Sequence, residues 1–540
     1  VEPKAAACQP ASEVIAARLA REGTRTVFGV PGGGGNLDLI EAAGQHGLPF
    51  VLTATENAAA VAAIAHAEVS GAIGACLTTL GPGAASVVNG VACAYLDRAP
   101  ILVFTDAQVA PRAGAVFEHQ QLDQLALFAP ITNWTTRLTS ASVADILDRA
   151  IAKASGPRPG PVHIDCVGDT GVPAADARAG SPPAGSGDSH PSNRRRFDAA
   201  VAGARRPIVI AGLGARRPAD AEAIRALVEQ HRLPALVTYK AKGVVPDQHE
   251  CFGGVFTHAA LEKPLIDRSD LIIGIGLDPV ELLPRPWTYT QTVLYIGRWR
   301  VSSDHVPFAA QLVGDVATGV AEVSARLAAP EWDLDDLPQR IDRQRRAIEI
   351  PAAGLSAQRV VRMAAEQFAA ESRVTVDAGA HMFAATMLWP AVEPAQMLIS
   401  NGLSTMGFAL PAAIGAAILQ RDRRVVALTG DGGLLMCAGE LLTAAREKLP
   451  ILVVVFNDAS LSLIEVKQQR KRYRPAGVDL GLVNWCAVAE GFGVAAFAAA
   501  DEHEFARALE QAAGVDGPSL IEARIDRHNY GEVLSTIRGT

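Results

Sequence analysis

The chain has 540 residues, 49% of them hydrophobic and 20% charged, with a formal net charge of −8. That length exceeds one hydrophobic core and predicts several domains, while the mild acidity gives no reason to expect nucleic acid or an anionic membrane as partner. Seven cysteines are scattered without a CxxC pair, no charged-then-apolar leader opens the chain, and no apolar run reaches the roughly 18 residues that span a bilayer. The expectation is a soluble, cytoplasmic protein.

In chain order, apolar periodicity predicts a helix over 12–22, a strand over 26–30 and a turn at Pro31-Gly32-Gly33. A helix over 37–45, a strand over 49–54 and an Ala-rich helix from Glu56 to about 71 follow. Then come a strand over 74–79, the turn Leu80-Gly81-Pro82-Gly83, a helix to Leu96, and strands over 100–105 and 161–166. Residues 168–194, rich in Gly, Ser, Pro, Ala and Asp, read as an exposed linker. A second unit carries strands over 207–211, 235–238, 271–275 and 292–296, and an acidic linker at 328–338 closes it. The third unit repeats the alternation, with strands over 374–376, 425–428, 451–456 and 519–523. Strands alternating with helices predict parallel sheets covered on both faces. The fold class is α/β: three doubly wound parallel-sheet domains over 1–170, 194–328 and 350–540.

The sharpest signal lies in 424–466. A strand ends at Gly430-Asp431-Gly432-Gly433, a helix is predicted over 434–448, and a second strand ends at Asn457-Asp458-Ala459-Ser460. In such a βαβ crossover both strands finish on the same sheet edge, where open α/β sheets bind ligands. Two carboxylates there make a hard-oxygen site suited to Mg²⁺. The glycines and the following helix N-terminus admit a phosphate. A lone Gly-Asp-Gly-Gly is more often a plain turn; the complete cassette argues for a diphosphate with magnesium.

This cassette resembles the thiamine-diphosphate motif of the acetohydroxyacid synthase, pyruvate decarboxylase and benzaldehyde lyase superfamily. The resemblance implies Mg²⁺ held by Asp431, Asp458 and the backbone carbonyl of Ser460. It extends upstream to 401–413, where Ser404 and Met406 fall in a stretch whose methionine props thiamine in a bent conformation. Asp377-Ala378-Gly379-Ala380-His381 is similar to the family's segment near the diphosphate, with Ala380 in place of the usual Gln. Gly379, His381, Gly430, Gly432 and Gly433 are thereby implied as cofactor contacts.

Thiamine chemistry needs a carboxylic acid against the aminopyrimidine ring. By itself Glu56 reads as an acid complementing a helix dipole. Its place between the Pro31-Gly32-Gly33 and Thr79-Leu80-Gly81-Pro82-Gly83 turns matches the family's activating glutamate, although Thr55 and Asn57 replace the usual His and Gln. Pro31, Gly32 and Gly81 are implied to border the ring. Glu118-His119-Gln120-Gln121-Leu122-Asp123 is similar to the His-Gln segment of carboxyethylarginine synthase. His119 and Gln120 are therefore candidate acid–base or oxyanion groups, though a loop histidine is as readily a surface residue. After the metal loop, Leu463 and Ile464 are expected on a helix walling the substrate pocket, and the basic run 467–474 reads as its solvated face.

In the middle unit Gly212-Leu213-Gly214 and Gly274-Ile275-Gly276 lack the rest of a dinucleotide fingerprint, and the stretches matching FAD-binding relatives differ. No FAD is expected. The resemblance spans the chain. It implies a homodimer or homotetramer with active sites between subunits, acting on a small 2-oxo acid or acyloin. The function it implies is a decarboxylase/carboligase of the acetolactate synthase-like group. Acyloin cleavage of the benzaldehyde lyase type and a catalytically silent cofactor-binding relative are the alternatives.

Overall fold

The computed structural model describes residues 8–107, 119–138, 143–166, 172–173 and 191–539. They contain three six-stranded sheets whose paired strands all run parallel. If the strands of each sheet are counted in chain order, the first sheet (Val27–Gly29 to Val162–Cys166) is arranged 2-1-3-4-6-5. The second (Pro207–Ala211 to Phe308–Val313) is arranged 3-2-1-4-5-6. The third (Arg373–Val376 to Ser519–Arg524) repeats the 2-1-3-4-6-5 order of the first. The residues gather into two compact units: one holds 1–184 with 410–422 and 437–449, the other the remainder.

Inner strands such as Ile101–Asp106, Leu271–Ile275 and Ile451–Asn457 are buried along their whole length. Helices cover both faces of a parallel sheet, which is why these strands read as continuous apolar runs. Five strands of these three sheets were not anticipated, Trp134–Arg137, Phe252–Val255, Phe308–Val313, Met397–Ile399 and Ala495–Ala499, nor was the short antiparallel pair Cys8–Gln9 with Val172–Pro173. Each is a sheet edge, with a neighbour on one side only.

In the first unit, Thr55 caps the helix Glu56–Ser70 by accepting the Ala58 N–H at 3.2 Å, and Gly71 (φ 71°) ends it. The turns from Ala58 to Ala67 are buried all round. A Cβ on Gly415 would stand 2.2 Å from the Ala62 carbonyl oxygen, so the 410–422 segment packs backbone to backbone on this helix. An element enclosed on every side has no place for charge except at its ends, and Glu56 is at one of them.

Several boundaries differ from expectation. The helix anticipated over 434–448 is two, Asp431–Leu435 and Glu440–Arg446, and the one ending at Leu96 is Pro82–Ser86 followed by Val88–Leu96. Within the 168–194 linker, residues 191–194 are the first turn of the helix Pro191–Gly203, and 174–190 lie outside the described residues. In the middle sheet the winding reverses between Pro207–Ala211 and Leu271–Ile275. There Glu281 accepts the Leu213 N–H at 2.8 Å and the Thr238 hydroxyl at 2.6 Å. Among the described residues no helix is long and apolar enough to cross a membrane, and the six cysteines whose side chains are described form no disulfide.

Candidate functional site

In the second unit, Arg373–Val376, Val425–Gly430 and Ile451–Asn457 are adjacent strands whose ends deliver Asp377, Asp431 and Asp458 to one edge. It is the edge where the winding reverses, the usual ligand position in such sheets. Asp431 is buried and opens the helix Asp431–Leu435. Its Oδ1 accepts the Gly432 N–H at 2.7 Å; its Oδ2 accepts the N–H groups of Asp458 at 3.2 Å and Ala459 at 2.7 Å. Asp458 accepts the Ser460 N–H at 3.0 Å and the Ser462 hydroxyl at 2.7 Å. Burial raises both carboxyls above their usual range, and the charge of Asp431 helps push Asp458 up to about 6.

Two acids crowded into a partly dehydrated edge carry an electrostatic cost that a divalent cation would remove. Among the described residues no group of three or more His, Cys, Asp or Glu is placed to hold a metal. Two carboxylates at one edge suit a cation that takes few protein ligands and completes its shell with water and phosphate.

Close packing brings the other expected contacts here. A Cβ on Gly432 would lie 2.8 Å from Leu461 Cδ2 and 3.3 Å from Met406 Cε. One on Gly433 would lie 2.6 Å from Asp377 Oδ2, one on Gly379 2.7 Å from the His381 ring, and one on Gly430 3.5 Å from that ring. His381 is buried, stacks on Phe456 with centroids 4.8 Å apart, and is lowered to about 4 by that burial. Its Nε2 has no hydrogen-bond partner among the described residues. An orphaned nitrogen 3.9 Å from where a Cβ on Gly379 would stand is the kind of group that a bound polar ligand satisfies. Ser404 is exposed at φ 54° and spends its hydroxyl on the Asn401 carbonyl at 3.0 Å.

The helix Ser462–Arg470 follows the Asp458 loop. Leu463 is half-buried against the core of the third sheet, whereas Ile464 lines an open groove of about 380 Å³ with Lys467, Gln468, Arg470, Lys471 and Tyr473. Glu465 turns back instead, accepting the Ser460 hydroxyl at 3.2 Å and facing Arg527, which donates to the Asp458 carbonyl oxygen at 3.2 Å.

In the first unit the two glycine turns meet. Gly32 donates its N–H to Asn36 Oδ1 at 3.1 Å, and a Cβ on it would lie 2.5 Å from Thr79 Oγ1; Pro31 is exposed. Gly81 (φ 59°) abuts the Gln120 carbonyl, 2.5 Å from where a Cβ would stand, and a Cβ on Gly83 would meet Glu56 Oε1 at 3.2 Å. Glu56 is half-buried; His119 and Gln120 are exposed, with Gln120 at φ 59°. The expected site residues thus form two groups. Pro31, Gly32, Glu56, Gly81, His119 and Gln120 are in the first unit, and the rest are in the second.

Two supporting acids were not singled out from sequence. Asp377 accepts the N–H groups of Ala378 at 2.8 Å, Gly407 at 3.1 Å and Phe408 at 3.4 Å, and the Thr429 hydroxyl at 2.9 Å. It thereby ties the turn carrying Met406 to the strand end before Asp431. In the first unit Glu440 accepts the N–H groups of Ala54 at 3.0 Å and Thr55 at 3.1 Å, just ahead of Glu56. Each is a single acid beside an apolar run, and that was the signal available.

Three family models match in order: the N-terminal TPP binding domain of thiamine pyrophosphate enzymes over residues 10–127, the central domain over 196–323, and the C-terminal TPP binding domain over 377–523. The chain is similar to the catabolic acetolactate synthase of Raoultella terrigena, with 30% identity covering 95% of each chain. The acetolactate synthase of Bacillus subtilis is 28% identical, over 95% of this chain and 93% of that one. A probable 2-ketoarginine decarboxylase of Pseudomonas aeruginosa is 29% identical, over 95% and 94%. With the three domains in sequence, and relatives alike from end to end, the chain belongs to the thiamine pyrophosphate enzymes and, within them, to the acetolactate synthase-like group.

Proposed function

We propose that the chain is a thiamine-diphosphate- and Mg²⁺-dependent decarboxylase/carboligase acting on a small 2-oxo acid. The observation that carries this reading is the buried Asp431 carboxylate held by the Asp458 and Ala459 amides at adjacent strand ends, with a second, half-buried acid, Asp458, beside it. When bound, thiamine diphosphate supplies a carbon nucleophile and an electron sink for breaking or making a bond next to a carbonyl.

This chain's own residues supply the rest. Asp431, Asp458 and the Ser460 carbonyl hold Mg²⁺, with the Gly430, Gly432 and Gly433 backbone, Gly379 and His381 beside the diphosphate. Met406 and Ser404 border the thiazolium, and Leu463 and Ile464 wall the substrate side. Glu56 would hold and move the proton that the pyrimidine ring of the bound cofactor requires, and Pro31, Gly32 and Gly81 would border that ring. His119 and Gln120 hydrogen-bond the reacting carbonyl. The ranges 1–170, 194–328 and 350–540 serve as pyrimidine-binding, central and diphosphate-binding domains, in a cytoplasmic homodimer or homotetramer with active sites between subunits. A 2-oxo acid donor is supported by the relatives named for acetolactate synthesis and 2-ketoarginine decarboxylation.

Calorimetric titration with thiamine diphosphate, with and without Mg²⁺, tests the cofactor; absence of Mg²⁺-dependent binding would end the reading. CO₂ release from a panel of 2-oxo acids, pyruvate first, tests the donor. Glu56→Gln is expected to retain cofactor binding while lowering kcat by about 100-fold or more, the scale of a lost acid–base contribution.

A further inference from the structure

Gln124 begins the short helix Gln124–Phe128 and is buried, with 4% of its surface exposed. Its Oε1 accepts the N–H of Gly81 at 3.0 Å. Its Nε2 donates to Asp165 Oδ1 at 2.6 Å, to the Asp106 carbonyl oxygen at 3.0 Å and to Thr105 Oγ1 at 3.2 Å. We propose that Gln124 is a positioning residue for the reaction, setting the Gly81–Gly83 turn and through it the mutual placement of Glu56 and Gln120. The inference rests on the reading above, in which Glu56 and Gln120 serve the cofactor and the substrate.

The turn has no slack. Gly81 and Gln120 both sit at φ 59°, and the Gln120 carbonyl oxygen occupies ground that a Cβ on Gly81 would need. On the far side of the turn, Gly83 leaves room for the Glu56 carboxylate. A shift of the turn therefore moves Gln120 on one side or opens space beside Glu56 on the other.

The Gly81 N–H is what fixes its height. Left without a partner, a buried amide carries a desolvation penalty that makes the turn seek another position. The amide orientation of Gln124 is also forced. A carboxylate and a carbonyl face the nitrogen, so the oxygen must face Gly81.

The anchor behind it is a charge. Asp165 is buried; burial works to raise it, and hydrogen bonds from His163, Arg137 and Thr105 outweigh that, holding it below the usual carboxylate range. Arg137 donates to its Oδ2 at 2.8 Å and Thr105 to its Oδ1 at 2.8 Å. At the other end of the helix, Phe128 stacks on His163 with centroids 4.0 Å apart, and the His163 ring nitrogens meet the hydroxyls of Thr105 and Thr135 at 2.8 Å and 2.7 Å. The helix is fixed at both ends. Only a side chain of this length that accepts on one face and donates on the other closes the link.

The test uses the full chain with two variants. Gln124→Met keeps length and bulk but removes all four hydrogen bonds. In the cofactor-free protein, amide exchange of the 79–83 segment is expected to quicken by about tenfold or more while that of 56–70 stays as in wild type. With thiamine diphosphate and Mg²⁺ saturating, kcat for the best-turned-over oxo acid of the panel should fall by about 10–100-fold, with KM changed far less. Gln124→Glu restores the link only when protonated. Its kcat relative to wild type should therefore climb as pH falls from about 8 to 6, a dependence that loss of packing would not produce.

Unchanged exchange at 79–83, or a Gln124→Met kcat within about twofold of wild type, overturns the proposal. If Gln124→Met does not fold, the other variant decides: a Gln124→Glu ratio to wild type that is flat with pH overturns it. Glu56→Gln measured alongside separates the two readings. If that variant is fully active, the assignment of the site fails, whereas the exchange result still judges the hold on the turn.

Discussion

At the level of single residues, the paired acids make a prediction with a change of sign. Asp458→Asn keeps an oxygen toward the metal and the hydrogen bonds at this loop, but removes one of two crowded charges. With a chelator present the variant should melt above wild type; with thiamine diphosphate and Mg²⁺ it should melt below, because ligand binding stabilises in proportion to affinity. Differential scanning calorimetry under both conditions checks this, and the same order in both would contradict it. Glu281 gives a second test. Burial pushes it from 4.5 to about 7. Between those values the folded chain holds a proton that the unfolded chain has released, so stability falls as pH rises through that window and levels off above it. Glu281→Gln, whose amide can still accept from Leu213 and donate to Thr238, should melt a few degrees above wild type at about pH 8 and alongside it near pH 5. The charged residues at strand ends, Asp431 and Asp458, were legible because they close the two strands of one βαβ crossover, where a lone acid beside an apolar run would not stand out. Asp377 and Glu440 were not, since their partners are backbone amides distant in sequence, which periodicity does not reveal.

At the level of elements, the helix Glu56–Ser70 depends on one neighbour having no side chain. Gly415→Ala would drive a methyl into the Ala62 carbonyl, where backbone cannot yield, and should destabilise the first unit by about 1–3 kcal/mol in urea melts. Thr55→Ala, which leaves the Ala58 amide uncapped, should cost about 1 kcal/mol. Inner strands were readable nearly to the residue: Pro207–Ala211 and Leu271–Ile275 have the expected bounds. They are buried on both faces and hence apolar throughout. Five of the six edge strands, all but Phe50–Leu52, escaped notice because they lack a neighbour on one side and tolerate mixed composition, as Trp134-Thr135-Thr136-Arg137 does. The split of the expected 434–448 helix has the same lesson in helical form. The stretch carries no proline; Gly439, at the cap of the second helix, is its one mark of the break before Glu440, and a lone glycine does not by itself end a helical pattern.

At the level of the whole molecule, the proposed assembly predicts that specific activity falls on dilution in step with the sedimentation coefficient, whereas an active monomer would show neither change. The family and the α/β class were accessible from motifs alone. How the acids are held was not, because it depends on which strand ends become neighbours. The shared winding of the first and third sheets has a consequence of its own. Thr78 and Gly430 end the same strand in the two wiring diagrams, yet one is followed by a proline-bearing glycine turn and the other by an aspartate opening a helix. One architectural address therefore serves two occupations. What divides the face proposed to grip an anion from its twin is a few loop positions, so either face can change its trade without the scaffold being rebuilt.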